Sequence, residues 1–278
     1  MSQKTILITG TSSGIGRASV KRFATLGWNV VATMRNPEKE SELGNLANVL
    51  VTRLDVQDTA SIDAAIEAGI AKFGQLDVLV NNAGFGQYGL FEGLSTNQIE
   101  TQFQVNLFGV MDVMRAALPH FRARKSGLVI NVSSGAGVFG LPMISAYCAS
   151  KFALEGFSEA VSYELASQGI GVKLVIPHGG VAETSFHDRS AQELAQGPGL
   201  DDYHDFQQQM TALFGKMGGG RLMDADYVAG FIALAATDGS NQLRYYVGDD
   251  ARGFVDARLY KGEAAYMAHM RSFFVPQS

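Results

Sequence analysis

Seven short apolar runs recur along this chain, at residues 5–9, 30–34, 49–53, 78–81, 128–132, 172–176 and 245–247. Amphipathic stretches at 15–26, 60–73, 98–124, 146–166 and 225–235 separate most of them. Runs that are apolar on both sides read as strands buried on both faces. Strands alternating with helices therefore predict a parallel sheet covered by helices above and below. The 278 residues, 46% apolar and 18% charged, suffice for one sizeable core. No internal repeat, low-complexity tract or linker interrupts the rhythm, so residues 1–278 are expected to form a single domain.

Two regions depart from the pattern. Residues 185–222 begin polar yet carry Phe186, Tyr203, Phe206, Met210 and Phe214. A long insertion with scattered apolar side chains suits a helical lid over a pocket. The segment from 248 to 278 holds Phe254, Tyr266, Met270, Phe273 and Phe274, too apolar for a free tail. It is expected to pack on a pocket rim or on a neighbouring subunit.

The net charge of −5 leaves no basic footprint for nucleic acid. Cys148 is the sole cysteine, so no intrachain disulfide forms; it reads as a small buried residue or a reactive thiol. No apolar run approaches the roughly 18 residues of a membrane span. The first strand begins by about Lys4, which leaves no room for a signal peptide and points to the cytoplasm.

The candidate chemistry centres on Tyr147 and Lys151, four residues apart on one helix face. An ammonium beside a phenol favours the phenolate and would lower the tyrosine pKa, as a general acid for a carbonyl oxygen requires near neutral pH. Ser134 ends the fifth strand-like run thirteen residues before Tyr147 and is placed to hydrogen-bond the same oxygen. Ser133 is its competitor. Taken alone, the Tyr-x-x-x-Lys spacing also describes many solvated helix faces.

At the other end of the chain, the first run leads into Gly10-Thr11-Ser12-Ser13-Gly14-Ile15-Gly16 and then a helix. Such a turn lets the backbone approach a pyrophosphate, with the helix N-terminus supplying N–H groups. The second run ends at Met34 where a ribose-binding acid would stand, and Arg35 follows. A guanidinium binds a 2′-phosphate bidentately, which points to NADP(H); an exposed arginine before a turn is the alternative. Asp55 could accept from an adenine amino group or simply cap a loop. Small residues at Asn82, Ala83 and Gly84 would let a cofactor lie against the fourth strand. The other histidines, His120, His187, His204 and His269, lack ligand spacing, so no metal is expected.

Together these pieces resemble the short-chain dehydrogenase/reductase family. The likeness runs through Thr9 to Gly16, Asp55, Asn81 to Gly84, Asn106, Ser134, Tyr147 with Lys151, and Leu243 to Gly248. The last segment, the lid and the tail are similar to the branch of 17β-hydroxysteroid dehydrogenases, retinol dehydrogenases and bacterial carbonyl reductases. The resemblance implies a Rossmann-like, doubly wound, three-layer α/β/α fold. It implies a tetrad of Asn106, Ser134, Tyr147 and Lys151, in which Asn106 helps seat a proton-relaying water. It further implies cofactor contacts at Gly10, Ser12, Ser13, Gly14, Ile15, Gly16, Arg35, Asp55, Val56, Asn82, Ala83, Gly84, Tyr147 and Lys151, and after the sixth strand at His178, Gly179, Val181 and Thr184. One departure stands out: His178 occupies the position of the family's usual proline, and the path to Thr184 is one residue longer. His178 would face nicotinamide and pocket, or serve as a local structural residue.

The chain thus reads as an NADPH-dependent ketone or aldehyde reductase, reversible as a secondary-alcohol dehydrogenase. Phe85, Phe139, Leu141, Met143, His178 and Phe186 would line an apolar pocket for bulky or aromatic ketones. A homodimer or homotetramer follows from the resemblance. A nucleotide-sensing scaffold on the same fold is the rival, and an enoyl-reductase or epimerase-type relative is a further one.

Overall fold

A computed structural model of the protein describes residues 3–181, 200–218, 223–249 and 251–275. Its centre is a seven-stranded, all-parallel sheet in the order β3-β2-β1-β4-β5-β6-β7. The strands are β1 (Thr5–Thr9), β2 (Asn29–Met34), β3 (Val49–Arg53), β4 (Val78–Asn81), β5 (Gly127–Val132), β6 (Ile170–Pro177) and β7 (Arg244–Val247). All seven runs read from the sequence are strands. The order reverses between β1 and β4, which pair through Ile6–Val78, Leu7–Leu79 and Ile8–Val80. A crevice therefore opens at the carboxyl ends of these two strands, where crossovers leave in opposite directions.

Side chains alternate across each strand, so consecutive residues serve different layers. Ile6 and Ile8 join a cluster with α1 (Gly14–Thr25) and α7 (Ala225–Thr237) on one face. Leu7 joins the opposite cluster with α2 (Thr59–Phe73), α4 (Gly109–Arg124) and α5 (Ser145–Ala166). The doubly wound, three-layer α/β/α arrangement expected from the sequence is observed.

The expected helix over 98–124 has a different form. It is α3 (Thr96–Phe103) and α4, joined by a π-helical turn at Gln104–Phe108. Single π turns inside helices recur at functional sites. Here the widened turn carries Asn106. Gly109 begins α4 pressed against the loop after β3: a Cβ there would lie 2.8 Å from Val56 Cβ.

A third cluster caps the β6–β7 end. It unites α6 (His204–Gly218) with α8 (Arg252–Tyr260) and α9 (Glu263–Phe274). Met210, Phe254, Tyr266, Met270 and Phe274 are buried in it against Leu174 and Ile176 of β6. The apolar tail thus folds back on its own domain beside the crevice. Only the second half of the expected lid, residues 200–218, falls among the described residues; Thr184 and Phe186 lie outside them.

Helix α5 is fastened to the sheet by polar as well as apolar contacts. Asn81 Nδ2 donates to Asn131 Oδ1 at 2.9 Å, and Asn131 Nδ2 donates to Ser158 Oγ at 2.9 Å, all three residues being buried. Lys151 Nζ donates to the Val132 carbonyl at 2.9 Å. These bonds fix the rotation of α5, because slippage by one residue would strand buried donors. Asn131→Ala should therefore lower stability by about 1–3 kcal/mol, read from the midpoint of urea unfolding. An unchanged midpoint would show that the Asn81–Asn131–Ser158 bridge does not anchor the helix.

Candidate active site

The crevice is a cavity of about 640 Å³ at the carboxyl ends of the strands. The glycine turn after β1 forms one wall, and its shape is enforced by packing. Gly10 sits at φ +70°, and a Cβ there would lie 2.8 Å from Ala83 Cα. A Cβ on Gly16 would collide with the Gly10 carbonyl and lie 2.6 Å from Asn82 Nδ2. Asn82 clamps the turn from β4, its Nδ2 donating to the Thr9 and Gly10 carbonyls at 2.9 and 3.0 Å. Thr9 Oγ1 answers by accepting the Asn82 and Ala83 N–H groups, both at 3.0 Å. Glycine at 10 and 16 and small residues at 83 and 84 are thus required by mutual contact. The turn ends at Ser13, the N-cap of α1, where no side-chain cap bond closes the helix among the described residues. A backbone cradle aimed by a helix N-terminus fits a dinucleotide pyrophosphate.

Further along the strand ends, the candidate adenosine contacts are less constrained. Arg35 is exposed after β2, and no carboxylate among the described residues pairs with its guanidinium. The nearby cation Arg17 is occupied by Glu40 and Glu42, at 2.5 and 2.6 Å. Asp55 is half-buried after β3 and accepts the Gln57 N–H at 3.1 Å, the local bond of a loop aspartate. Val56 is buried beside Gly109.

The other wall of the crevice carries Ser134, Tyr147 and Lys151. Ser134 caps the short 3-10 turn Gly135–Gly137, its Oγ accepting the Ala136 N–H at 3.2 Å. The Ser134 hydroxyl faces the Tyr147 phenol and favours its ionised form. Ser133 also lines the cavity, and its hydroxyl acts on Glu155. Of the two serines, Ser134 is the one that acts on the Tyr147 phenol.

The electrostatics differ from the sequence expectation. Burial pushes the Tyr147 phenol above its ordinary pKa, the Ser134 hydroxyl opposes this, and the neighbouring Tyr88 and Cys148 add to the upward push. The phenol therefore stays protonated at neutral pH rather than being acidified by Lys151. Lys151 Nζ lies 5.9 Å from the Tyr147 ring centroid and is itself buried. Burial brings its pKa down to about 8, against the opposing pull of the Glu155 carboxylate. The expectation considered only the tyrosine–lysine pair; desolvation by the surrounding apolar side chains outweighs that pair.

Asn106 also has a different local role than expected. Its Oδ1 accepts the Phe85 N–H at 3.1 Å, and its Nδ2 donates to the Phe85 carbonyl at 2.8 Å and to Ser150 Oγ at 3.3 Å. The side chain staples the loop after β4 to α5. Gln102 assists, with Oε1 accepting from Gln87 N at 2.6 Å and Nε2 donating to the Phe85 carbonyl at 2.9 Å.

Of the residues expected around a substrate, Phe85, Phe139 and Leu141 line the cavity, as do Ile15, Gly179 and Val181. Met143 and His178 do not. Met143 is buried at φ +64° in the third cluster, its carbonyl accepting from Gly89 N at 2.8 Å. His178 is 1% exposed beneath Gly135, its backbone continuing the β6–β7 pairing through Val247. Sequence spacing located the loop after β6 but not the inward turn of this side chain. Tyr88 and Ile144 complete the wall and had no sequence signal; Phe214 and Phe254 enter from α6 and α8. Phe254 packs on Phe139 with centroids 5.4 Å apart. Among the described residues no cluster of metal-ligating side chains gathers, and no helix is long and apolar enough to cross a membrane.

The fold is doubly wound, and its crevice opens at the switch point between β1 and β4. Residues 4–194 match the family described as short chain dehydrogenase, and the chain belongs to that family. It is 36% identical over 239 residues to an uncharacterised oxidoreductase of Schizosaccharomyces pombe, covering 86% of this chain and 98% of that one. It is 39% identical over 195 residues to the 3-ketodihydrosphingosine reductase of Bacteroides thetaiotaomicron, covering 70% of each. With human 17-beta-hydroxysteroid dehydrogenase type 1 it shares 34% over 225 residues, 76% of this chain and 67% of that one. Among solved structures, a short-chain dehydrogenase from Streptomyces avermitilis superposes with a TM-score of 0.81 at 31% identity, covering 98% and 97% of the two chains. ElxO with NADP bound gives 0.71 at 27% identity, covering 88% and 97%.

The Asn106 staple makes a distinct prediction. Asn106→Leu removes both partners of the Phe85 backbone that this side chain supplies, so stability should fall by about 2 kcal/mol. Amide exchange at residues 85–88 should quicken more than exchange in the sheet. Uniform protection of that loop in the variant would contradict the assignment.

Proposed function

We propose that the protein is a carbonyl reductase that uses NADPH, runs in reverse as a secondary-alcohol dehydrogenase, and takes bulky apolar or aromatic ketones and aldehydes. The observation that carries this reading is the Tyr147 phenol, buried on the crevice wall with the Ser134 hydroxyl and Lys151 beside it and largely apolar side chains around them. When bound, the cofactor supplies the hydride that adds to the carbonyl carbon. The glycine turn and the N-terminus of α1 would hold its pyrophosphate, and Asp55, Val56, Asn82, Ala83 and Gly84 would flank its adenosine and ribose portions.

As the carbonyl is reduced, its oxygen gains negative charge. Tyr147 Oη donates a hydrogen bond to that oxygen and then its proton, while Ser134 Oγ donates a second hydrogen bond. Burial, which keeps the phenol protonated, ensures that the proton is present at neutral pH. The Lys151 ammonium, tethered to the Val132 carbonyl, stabilises the phenolate left behind and would bind the ribose hydroxyls. Asn106 keeps the loop after β4 closed on α5. The flanking Phe85, Phe139, Phe214 and Phe254 exclude water and strengthen both hydrogen bonds.

Arg35 supports NADPH over NADH, since its guanidinium is exposed and, among the described residues, pairs with no carboxylate, while Arg17 is engaged by Glu40 and Glu42. The reductase name of the Bacteroides relative and the NADP of ElxO agree with these assignments. A homodimer or homotetramer in the cytoplasm accords with the family.

Tyr147→Phe should lower kcat for ketone reduction by about 10²-fold or more while the enzyme still quenches and binds NADPH. In the parent, kcat should hold through neutral pH and decline above about 8, as Lys151 loses its proton and the phenolate loses its counter-charge. Aryl and polycyclic ketones should outrun small polar ones; a turnover-competent Tyr147→Phe variant would reject the mechanism. Arg35→Ser should cut the NADPH/NADH ratio of kcat/KM about tenfold or more. An unaltered ratio would remove Arg35 from cofactor selection.

A further inference from the structure

Tyr147, Lys151 and Glu155 are spaced by four on α5, so they form one stripe facing the sheet and the serine turn. Glu155 is 6% exposed, an unusual setting for a carboxylate. Its Oε2 accepts from Arg244 Nε of β7 at 2.9 Å, and the same guanidinium reaches Glu159 through its NH2 at 2.6 Å. The Ser133 hydroxyl faces the carboxyl and favours its ionised form, although no well-formed bond closes on Oε1. Gly137, in the turn that Ser134 caps, is packed on this unit. A Cβ there would stand 3.0 Å from the Lys151 carbonyl, 3.0 Å from Ser133 Oγ and 3.1 Å from Glu155 Cγ. One carboxylate therefore touches the support of both Ser134 and Lys151 while remaining outside the crevice lining.

We propose that Glu155, held by Arg244, is a positioning residue that keeps the Lys151 ammonium charged and aimed beneath Tyr147. The proposal rests on the reductase reading above and adds a group that sits behind the reacting atoms. Lys151 faces Tyr147 and Glu155 on its own helix and the Val132 carbonyl on β5. Tyr88, from the loop after β4, adds to the burial of Tyr147, and Arg244 of β7 stands behind Glu155. Among these groups Glu155 is the anion that opposes the desolvation of Lys151. A buried ammonium next to a fixed anion keeps its proton to higher pH than one without it. Burial pushes the Glu155 carboxyl above its ordinary pKa, and the Ser133 hydroxyl and the Arg244 guanidinium oppose that push in favour of the carboxylate.

The sign of the effect follows directly. Neutralising Glu155 removes a charge that favours protonated Lys151, so Lys151 would lose its proton at lower pH. In Glu155→Gln, the alkaline decline of kcat for ketone reduction should move to lower pH by about one unit or more. The alkaline weakening of NADPH binding, read by nucleotide fluorescence, should move with it. Below pH 6, where Lys151 is charged in either protein, kcat should return to within about threefold of the parent, a recovery that a damaged fold would not show. Glu155→Asp should shift the same two profiles in the same direction by less, and it keeps the question open to test if the glutamine variant fails to fold. Glu159→Gln, which alters only the outer, more exposed arm of the Arg244 pair, should leave both profiles in place. Parent-like alkaline limbs in both Glu155 variants would overturn the positioning role. The reductase reading fails separately, if Tyr147→Phe keeps its turnover.

Discussion

Everything distinctive about the crevice depends on how α5 lies on the sheet. The helix carries Tyr147 and Lys151 on its inner stripe, and that stripe is useful only at one rotation. Hydrophobic packing of Leu154 and Leu165 holds the helix against β5 and β6 but tolerates sliding. Directional bonds remove that freedom: Lys151 to the Val132 carbonyl, and Ser158 to Asn131. An unmade bond of this kind, buried, costs more than a lost van der Waals contact, so the polar anchors decide orientation while the apolar ones supply affinity.

The same economy governs the cofactor end. Gly10, Gly16, Asn82 and Thr9 form a closed set in which each residue type is demanded by the others. The turn is rigid because β1 and β4 are neighbours at the switch point, so that their carboxyl-end loops meet. A preformed cradle avoids the ordering cost that a flexible loop would pay on binding. The opposite wall is built from three elements distant in sequence: the serine turn, helix α6 and the folded-back tail. It is there that substrate size would be measured, through Phe139, Phe214 and Phe254.

The pKa balance illustrates why a local motif misleads about chemistry even when it locates it. Two side chains four apart on a helix suggest an acidified phenol. In the folded protein, both Tyr147 and Lys151 lie in a medium that disfavours charge, which raises the one and lowers the other. A phenol that keeps its proton and an ammonium close to neutrality suit proton donation to a carbonyl. Glu155, missed in the sequence because a glutamate on a helix is ordinarily solvated, becomes informative only when its burial is known.

Sequence periodicity determined the seven strands and the parallel winding, and spacing located the glycine turn and the Ser134, Tyr147 and Lys151 side chains that the crevice brings together, because each rests on spacing along one element or on the order of elements. Asn106 was legible as a site residue but not as a staple on Phe85, and His178 and Met143 were legible by position but not by direction. The tertiary structure alone decided which side chains turn inward, how far burial moves their charges, and that Glu155 and Arg244, 89 residues apart, share a bond behind the lysine. The physical reason is the same in each case. Local pattern follows from the covalent chain and its period, whereas desolvation and long-range hydrogen bonding exist only once distant segments have closed around a group.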